Sequence, residues 1–312
     1  MVRGLMEPIS LRLSEDDPAA FAAQLGGSFA RYSFAVVADH GVGEDVISAA
    51  FDNAKAFFAL PDDVKRKYAI EGGAGQRGYT PFGVETAKNA HAPDLKEFWH
   101  VGRNVPASHP LAQTLPANIT VEEIQTFAPA TDALFEALDD LGLKLLRAIA
   151  RYLELPRDFF EDKVRMGNSI LRLLHYPPVI GHATGLRSEA HEDINVITLL
   201  LGAEEAVLQL LDRDGNWIEV NPPTGCVVVN VGDMLQRLTN HLLPSTTHRV
   251  VNPHPSRAAY SRYAMPFFQN FTPDYLIETL PGCMTSARPN RYPTPITAGD
   301  YLRQRLAEIK LL

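Results

Sequence analysis

Cysteine is scarce in this sequence of 312 residues. Its two cysteines, Cys226 and Cys283, do not belong to a Cys-x-x-Cys pair. Zinc ribbons, iron–sulfur clusters and disulfide frameworks need more thiols at short spacing, so all three are disfavoured. One Cys226–Cys283 bridge stays an alternative, but two reduced thiols in a reducing compartment agree better with the non-secreted character of the chain.

Long apolar runs and clusters of basic residues are missing as well. No segment approaches the roughly 20 apolar residues of a membrane span, and residues 1–8 lack the apolar core of a signal peptide. The net charge is −8, from 29 basic and 37 acidic residues, and no run of Lys or Arg could neutralise a phosphate backbone. We therefore expect a cytoplasmic protein that binds neither membranes nor nucleic acid.

A phosphate loop is also absent, although residues 71–83 are rich in glycine. No Gly-Lys-Ser/Thr follows these glycines, as a nucleotide-binding loop requires. The segment is expected to be either a mobile connection or a lid over a substrate pocket, with Arg77 and Tyr79 as candidate contacts.

The composition that is present is typical of a globular protein with a large core, because 46% of the residues are apolar and 21% are charged. In the first half, the spacing of apolar residues predicts short strands alternating with helices. The predicted strands cover residues 9–13 and 34–37, and the predicted helices cover residues 18–30, 46–60 and 121–155, the last with a break near Ala128–Pro129.

The second half of the chain has a different pattern. Between residues 169 and 270, short apolar runs rich in branched side chains alternate with turn signals such as residues 212–216. This pattern predicts about six to eight short strands separated by turn residues. It favours a sandwich or jelly roll over βαβ units.

Two histidines and an aspartate in this half predict a metal site. His191 and Asp193 are two residues apart, so on an extended strand both side chains would project from one face and Glu192 from the other. His248 follows a β-rich spacer that is long enough to return to the same pocket. Two imidazoles and one carboxylate leave three octahedral positions open, as in non-haem Fe(II) oxygenases. Sulfur ligands are absent, which disfavours a structural zinc site.

An arginine after these residues is a candidate anchor for an anionic co-substrate. Arg262 lies in a β-like run that continues to Phe268. A planar guanidinium can hold a carboxylate through two parallel hydrogen bonds. Arg257 is the rival, but Arg262 is preferred because it shares its strand with Phe268.

Together these residues resemble the isopenicillin N synthase-like branch of 2-oxoglutarate/Fe(II)-dependent dioxygenases. The resemblance covers nearly the whole chain, at residues 9–11, 34–42, 57–61, 78–79, 94–97, 191–193, 230–233, 239–240, 245–250 and 262–268. It implies a mainly β fold with flanking helices, a double-stranded β-helix or distorted, cupin-like jelly roll. It also implies one compact unit over residues 1–312, with an N-terminal helical region at 5–110, a core at 165–272 and a C-terminal extension at 273–312.

By position, the resemblance implies that His191, Asp193 and His248 bind Fe(II), and that Arg262 and Tyr176 bind the co-substrate 2-oxoglutarate. The implied enzyme is an oxygenase that oxidises a small molecule with dioxygen and releases succinate and carbon dioxide. The reaction would be a hydroxylation, a desaturation or a ring closure, because the iron carries the difficult chemistry and the protein orients the substrate.

One position departs from the family pattern. The Arg-x-Ser motif of the family starts at Arg262, but Ala264 stands in place of the serine. The missing hydroxyl would cost about 1.5–3 kcal/mol of binding free energy if no other donor replaces it. Tyr79 and Phe268 are the candidate substrate contacts, and Arg172 is expected on the same strand face as the co-substrate tyrosine, four residues before it.

Two alternatives to this function stay open at the level of sequence. Ala264 is compatible with an Fe(II) oxidase of the same branch that does not use 2-oxoglutarate. A non-catalytic, metal-binding jelly roll is the second alternative, because a fold does not determine a function.

Overall fold

The computed structural model describes residues 6–73, 75–86, 92–178, 185–202 and 208–308. Its strands, numbered in chain order, are β1 Ile9–Ser10, β2 Phe34–Ala38, β3 Gly78–Thr80, β4 Glu97–Gly102, β5 Ile170–Tyr176, β6 Ser188–His191, β7 Ile197–Leu201, β8 Leu208–Leu211, β9 Trp217–Val220, β10 Val227–Val231, β11 His248–Val250, β12 Arg262–Gln269, β13 Leu276–Ile277 and β14 Ile296–Thr297. Its α-helices are α1 Leu13–Asp16, α2 Pro18–Tyr32, α3 Glu44–Phe58, α4 Asp62–Arg66, α5 Phe127–Tyr152, α6 Glu161–Val164, α7 Asp233–Leu238 and α8 Ala298–Glu308.

Two sheets enclose the interior of the second half. The larger sheet has eight strands in the order β1-β2-β10-β7-β12-β5-β4-β3, and the smaller has four in the order β6-β11-β8-β9. Leu174 and Ala264 of the larger sheet belong to the same buried apolar cluster as Leu208 and Leu210 of the smaller one. Strands that are distant in the chain are thus neighbours in space, as in a jelly roll, and the predicted fold class is confirmed.

The long helices cover the other face of the larger sheet. Phe29 of α2, Phe57 of α3 and Leu138 of α5 are fully buried in one core with residues of β7, β10 and β12. Phe135 of α5 contacts Phe267 of β12 edge to face, with ring centroids 5.1 Å apart. The helices therefore fix the sheet from outside and leave the space between the two sheets for a site.

Several sequence predictions can be compared with these elements. The predicted second-half strands are confirmed as β5 to β12. The predicted break at Ala128–Pro129 is wrong, because α5 is continuous and Pro129 lies in its first turn, where the missing N–H has no helical partner to lose. The strand predicted at residues 9–13 is shorter than expected, since α1 already begins at Leu13.

None of the helices in the described ranges combines the length and the apolarity needed to cross a bilayer. Cys226 and Cys283 are both buried and are not bridged to each other. The division of the chain at residues 110, 165 and 273 and the cytoplasmic location stay predictions.

Candidate active site

The three predicted metal ligands lie together at the edge of the smaller sheet. His191 ends β6 and His248 begins β11, and the two residues stand directly opposite each other in the antiparallel pairing. Asp193 follows shortly after β6, and its Oδ1 atom lies 3.8 Å from the Nε2 atom of each histidine. One ligand atom from each residue lies within 4.8 Å of the other two.

Hydrogen bonds orient both imidazoles in the same way. The Nδ1 atom of His191 lies 2.7 Å from the carbonyl oxygen of Glu189, and that of His248 lies 3.1 Å from the carbonyl oxygen of Thr246. A carbonyl oxygen can only accept, so each Nδ1 carries the proton and donates it. Each Nε2 lone pair is therefore directed at the shared space, which is how metal-binding histidines are commonly held.

The carboxylate of Asp193 is held by one of its two oxygens. Its Oδ2 atom accepts hydrogen bonds from Thr198 Oγ1 at 2.6 Å and from Asn230 Nδ2 at 2.7 Å. Burial alone would raise the pKa of Asp193, but His248, His191 and these two donors outweigh it and lower the pKa. Asp193 is thus ionised, with Oδ1 directed at the imidazoles.

This donor set fits Fe(II). Desolvation in the cleft and the neighbouring His248 lower the pKa of His191 to about 4, so its imidazole is neutral at pH 7 and able to bind a metal. Two imidazoles and one carboxylate, without sulfur, suit a non-haem Fe(II) centre with three open positions. The three ligand atoms lie within 4.8 Å of one another, so a small approach of the side chains would bring all three to a common ion.

A small chamber of about 70 Å³ adjoins the three ligands. Arg262 and Tyr176 stand opposite each other in the β12–β5 pairing, and the guanidinium carbon lies 5.3 Å from the centre of the tyrosine ring. Arg262 Nη2 donates to the carbonyl oxygen of Gly202 at 2.9 Å. The rest of the wall combines apolar side chains with charged and polar ones: Leu174, Leu200, Leu208, Val250 and Ala264, with Lys96, Arg172, Ser188, Thr198 and Asn230.

A larger cavity of about 510 Å³ adjoins the same ligands. His191, Asp193, Arg172 and Phe268 line both spaces, so the ligands lie where the two spaces meet. Polar side chains from distant parts of the chain complete its wall, among them Gln76, Glu85, His100, Glu192, Asn270 and Arg305. Cavities of this volume commonly bind small organic molecules.

Comparisons with known proteins agree with this geometry. A family model described as the non-haem dioxygenase in morphine synthesis N-terminal matches residues 7–123, and one described as the 2OG-Fe(II) oxygenase superfamily matches residues 167–271. A 2-oxoglutarate-Fe(II) type oxidoreductase of Emericella nidulans, hxnY, is 32% identical over 287 residues, which cover 86% of this chain and 79% of the relative. The chain belongs to the 2OG-Fe(II) oxygenase superfamily.

Solved structures of similar proteins extend this result. A Caulobacter crescentus protein assigned to the 2OG-Fe(II) oxygenase family is 53% identical, with a TM-score of 0.92 over 98% of this chain and 100% of that one. A full-length Neurospora crassa protein in complex with alpha-KG is 28% identical, with a TM-score of 0.86 over 98% and 97% of the two chains. The complex of that Neurospora protein with both alpha-KG and thymine is 27% identical, with a TM-score of 0.85 over 98% of each chain.

As a member of this family, the chain is a 2-oxoglutarate/Fe(II)-dependent dioxygenase, an oxidoreductase that acts on a small molecule with dioxygen. The predicted family and cofactors are confirmed. The match to relatives named as 2-oxoglutarate-dependent oxidoreductases supports this function over the Fe(II) oxidase that Ala264 left open and over a non-catalytic jelly roll.

In the larger cavity of the oxygenase, four charged side chains neutralise one another. Lys96 Nζ lies 2.8 Å from Glu85 Oε1 and 2.7 Å from Asp94 Oδ2, and Arg172 Nη2 lies 3.2 Å from Glu85 Oε2. Burial alone would raise the pKa of Glu85, but Arg172 and Lys96 outweigh it and hold the pKa well below its usual value. Two cations thus balance two carboxylates.

His100 is a neutral member of this network. Its Nδ1–H donates to the carbonyl oxygen of Gly75, and its Nε2 accepts a 2.6 Å hydrogen bond from Nε of Arg172. Burial and the positive charge of Arg172 hold the pKa of His100 well below its usual value. The histidine therefore fixes the Arg172 guanidinium without adding a charge to the cavity.

The two predicted substrate contacts have different positions. Phe268 lines both cavities, so its assignment as a substrate contact stays a prediction. Tyr79 is a correction, because its hydroxyl donates to Glu97 and its ring packs on Phe57 of α3. Trp99 stands opposite Tyr79 in the β3–β4 pairing and packs on the same Phe57 ring. The alternation of side chains along the strand thus turns Tyr79 to the helix-covered face of the sheet.

The other arginines considered from sequence lie elsewhere. Arg77 is buried outside both cavities and donates to Asn168 Oδ1 at 3.2 Å. Arg257 follows β11 in a short 3-10 turn, with its guanidinium 5.5 Å from the ring of Tyr260. Of the two rival anchors, Arg262 is the one that lines the chamber.

Glu192 also departs from the expectation. Because β6 ends at His191, Asp193 extends from the following turn rather than from the strand itself. Glu192 consequently lines the larger cavity beside the ligands instead of pointing away, and its Oε1 accepts a 3.1 Å hydrogen bond from Thr247.

Several cavity residues were missed by the reasoning from sequence. Lys96 and His100 are four residues apart, and this even spacing would have placed both on one face of a strand. The spacing was the available signal. Arg305 lies on α8 and belongs to no motif, so no sequence pattern connects it with the site.

Proposed function

We propose that His191, Asp193 and His248 hold Fe(II), and that Arg262 and Tyr176 bind 2-oxoglutarate in the small chamber. The observation that carries this assignment is the position of three orientated ligand atoms between a chamber with a guanidinium and a separate polar cavity. The iron, when bound, supplies oxygen activation coupled to the conversion of 2-oxoglutarate to succinate and carbon dioxide.

The residues of the chamber suit the two ends of 2-oxoglutarate. The guanidinium of Arg262 would pair with the distal carboxylate through two hydrogen bonds, and Tyr176 would confine it beside the strand. Apolar side chains such as Leu174 and Val250 would pack on the methylene carbons and exclude water from the chamber. The 2-oxo acid end would then face the metal ligands.

The larger cavity favours an uncharged, polar substrate. Lys96, Arg172, Glu85 and Asp94 of its wall are already paired, so a charged ligand beside them would leave one charge uncompensated in a partly buried site. Asn270 lines the cavity and its Oδ1 has no hydrogen-bond partner among the described residues, so a small rotation of the amide would offer an acceptor to a ligand N–H. Phe268 offers an aromatic wall on which a planar ring could stack.

A neutral planar heterocycle, such as a pyrimidine base, meets these requirements. The similar Neurospora protein forms a complex with thymine. That similarity supports this class of substrate for the present chain. The oxidation of a ring substituent would then be the reaction, with Arg172 and Phe268 holding the ring beside the metal.

The experiment has two parts. The protein is mixed anaerobically with Fe(II) and 2-oxoglutarate, and the expected result is a visible charge-transfer band that Asp193→Ala abolishes. Succinate formation is then measured with thymine, with its anionic analogue orotate and with no addition. Thymine is expected to increase succinate formation and orotate is not.

The possible outcomes separate the two parts of the proposal. Absence of the band in the wild-type protein would refute the assigned metal and co-substrate site. A band together with stimulation by orotate but not by thymine would leave that site intact and refute the uncharged substrate. Mass analysis of the product distinguishes hydroxylation, which adds an oxygen atom, from desaturation or ring closure, which removes hydrogen.

A further inference from the structure

A chain of hydrogen bonds lies on the outer face of the strands that carry Arg262 and Tyr176. Glu97 Oε1 accepts a hydrogen bond from Nδ1 of His175 at 2.7 Å. The Nε2 atom of the same ring lies 3.0 Å from the hydroxyl oxygen of Ser261. Glu97 and His175 are buried, whereas Ser261 is exposed at the beginning of β12.

This chain stands directly behind the small chamber. His175 precedes Tyr176 in β5, and Ser261 precedes Arg262 at the start of β12. Because side chains alternate along strands, Tyr176 and Arg262 face the chamber while His175 faces the opposite side of the sheet. There the ring of His175 stacks on Tyr263, with centroids 4.8 Å apart and planes inclined by 14°.

The buried end of this chain of hydrogen bonds, at Glu97, is firmly held. Glu97 accepts hydrogen bonds from Lys65 Nζ at 2.9 Å and from the hydroxyl of Tyr79 as well as from His175. Burial alone would raise the pKa of Glu97, but these three donors outweigh it and lower the pKa. An ionised carboxylate fixed by α4, β3 and β5 is therefore the reference point for the ring of His175.

The exposed end of this chain of hydrogen bonds, at Ser261, lies beside a strand end that needs support. Ala259 and Tyr260 are exposed and precede β12 outside any strand, so Arg262 is the first residue of its strand. The residue at the end of a strand is followed by paired residues in only one direction along the chain, so strand ends tend to fray. The hydrogen bond of Ser261 joins this end to the buried His175–Glu97 pair.

We infer that Glu97, His175 and Ser261 form a positioning device that holds the start of β12, so that the Arg262 guanidinium faces the chamber. The inference rests on the proposed role of Arg262 in binding 2-oxoglutarate. It assigns no direct contact with the co-substrate to any of the three residues. Ala264 makes the device more important here, because the chamber lacks the hydroxyl that the family motif provides.

The first test compares Ser261→Ala with Ser261→Thr, which keeps the hydroxyl. The full chain is loaded with Mn(II), and the Kd values of Mn(II) and of 2-oxoglutarate are measured separately by calorimetry. Ser261→Ala is expected to weaken 2-oxoglutarate binding by about three- to tenfold, the loss of one hydrogen bond, without changing Mn(II) binding. Ser261→Thr is expected to keep the wild-type affinity.

The matched control is Ser256→Ala. Ser256 Oγ also pairs with a histidine, His254 Nδ1 at 2.9 Å, but in an exposed segment outside β12. This variant is expected to bind both Mn(II) and 2-oxoglutarate as the wild type does. If Ser256→Ala weakened 2-oxoglutarate binding equally, the affinity would depend on the whole segment before β12 and not on the hydrogen bonds that lead from Glu97 to Ser261.

A double-mutant cycle tests whether Ser261 acts through His175. His175→Phe keeps the packing on Tyr263 but removes the hydrogen bonds of the ring to Glu97 and to Ser261. It is expected to weaken 2-oxoglutarate binding more than Ser261→Ala does. Adding Ser261→Ala to His175→Phe is then expected to have less effect than Ser261→Ala has alone, because only the hydrogen bond of Ser261 with Tyr263 is left to lose, whereas independent contributions would add. KM for 2-oxoglutarate is expected to rise with little change in kcat at saturation.

Three results would overturn the inference: wild-type affinity in Ser261→Ala, additivity in the cycle, or a parallel loss of Mn(II) binding. Failure of the proposed function has a different signature. If the wild-type protein does not bind 2-oxoglutarate, or if Arg262→Met binds it normally, the assignment of the chamber fails and the positioning role fails with it.

Discussion

The two cavities beside the metal ligands are built in different ways. Paired strands of the two sheets line the small chamber, and the register of β5 and β12 puts Tyr176 opposite Arg262. The larger cavity takes Glu85 from a loop, His100 from β4 and Arg305 from α8, and no common strand pairing joins these three segments. Strand pairing thus places the two proposed co-substrate residues, and packing of distant segments shapes the larger cavity.

Their electrostatics differ as well. The chamber presents the guanidinium of Arg262 beside apolar side chains such as Leu174 and Val250, which suits a carboxylate. Lys96 and Arg172 line both spaces, but they are paired with Glu85 and Asp94, which line only the larger cavity. The proposed carboxylate site thus lies at Arg262, and the paired charges lie toward the larger cavity.

The largest effect is expected where the two cavities meet. Asp193→Ala removes a ligand that both share, so metal affinity should fall at least about 100-fold, the upper range for losing even a hydrogen-bond partner of a ligand. Metal content after dialysis against Mn(II) and the Fe(II)/2-oxoglutarate band measure the loss. Asp214→Asn, an exposed carboxylate in the β8–β9 turn, is the control. Retention of full metal content in Asp193→Ala would refute the assigned centre.

Breaking the balanced charges of the larger cavity should mainly affect folding. Lys96→Met leaves Glu85 and Asp94 without their shared cation, and we expect the free energy of unfolding to fall by about 3–5 kcal/mol. Urea denaturation measures this change. The control is Lys55→Met, whose exposed pair with Asp52 at 3.1 Å should contribute less than about 1 kcal/mol. Equal losses in both variants would show that burial of the network has no special importance.

In the chamber, the corresponding change should affect binding rather than folding. Arg262→Met removes the charge-assisted hydrogen bonds to 2-oxoglutarate, and its affinity should fall about 10- to 100-fold. Calorimetry with the Mn(II)-loaded protein measures both ligands. Arg257→Met should bind 2-oxoglutarate normally, and the reverse pattern would restore the rival anchor.

The pH dependence of stability should next reveal the buried, neutral His100 of the larger cavity. The pKa of His100 is lowered in the fold, so only the unfolded chain takes up a proton as pH falls below about 6.5. Stability from this group is therefore complete above that pH and declines by up to about 1.4 kcal/mol per pH unit below it. Unfolding curves at pH 7 and pH 5 should show a smaller decline in His100→Gln. An unchanged decline would mean that His100 does not titrate in this way.

The smallest effect concerns the missing hydroxyl of the chamber. Ala264→Ser restores the family motif on a buried position, and 2-oxoglutarate should bind up to about tenfold more tightly, the lower end of the effect expected of this hydroxyl, because the packed wall must shift to admit it. The same calorimetry measures the change, with the exposed Ala259→Ser as control. Weaker binding in Ala264→Ser would show instead that the chamber has no room for an added oxygen atom.

Much of the chamber could be predicted from sequence, whereas the larger cavity could not. Arg262 and Phe268 alternate in one β-like run, so their spacing was enough to place them on one strand face. Arg172 and His100 meet only because β4 and β5 pair in a register that sets the two residues opposite each other. No local pattern encodes that register, since it depends on the packing of the whole sheet.

The errors have related causes. Tyr79 was assigned to a substrate lid because it follows a glycine-rich segment, but the β3–β4 pairing turns its ring toward α3. The break expected at Pro129 overlooked that the first helical turn tolerates proline. In both cases the residue type was interpreted correctly, and its position within the element decided the outcome.

The sequence by itself determined the family, the jelly-roll strands and the metal-binding residue types, because alternation and motif spacing are local properties of the chain. Only the tertiary structure decided which face each side chain occupies, how Glu85, Lys96 and Arg172 neutralise one another, and that α8 closes the larger cavity. Those features depend on strand register and on contacts between distant segments, which arise only when the whole chain packs.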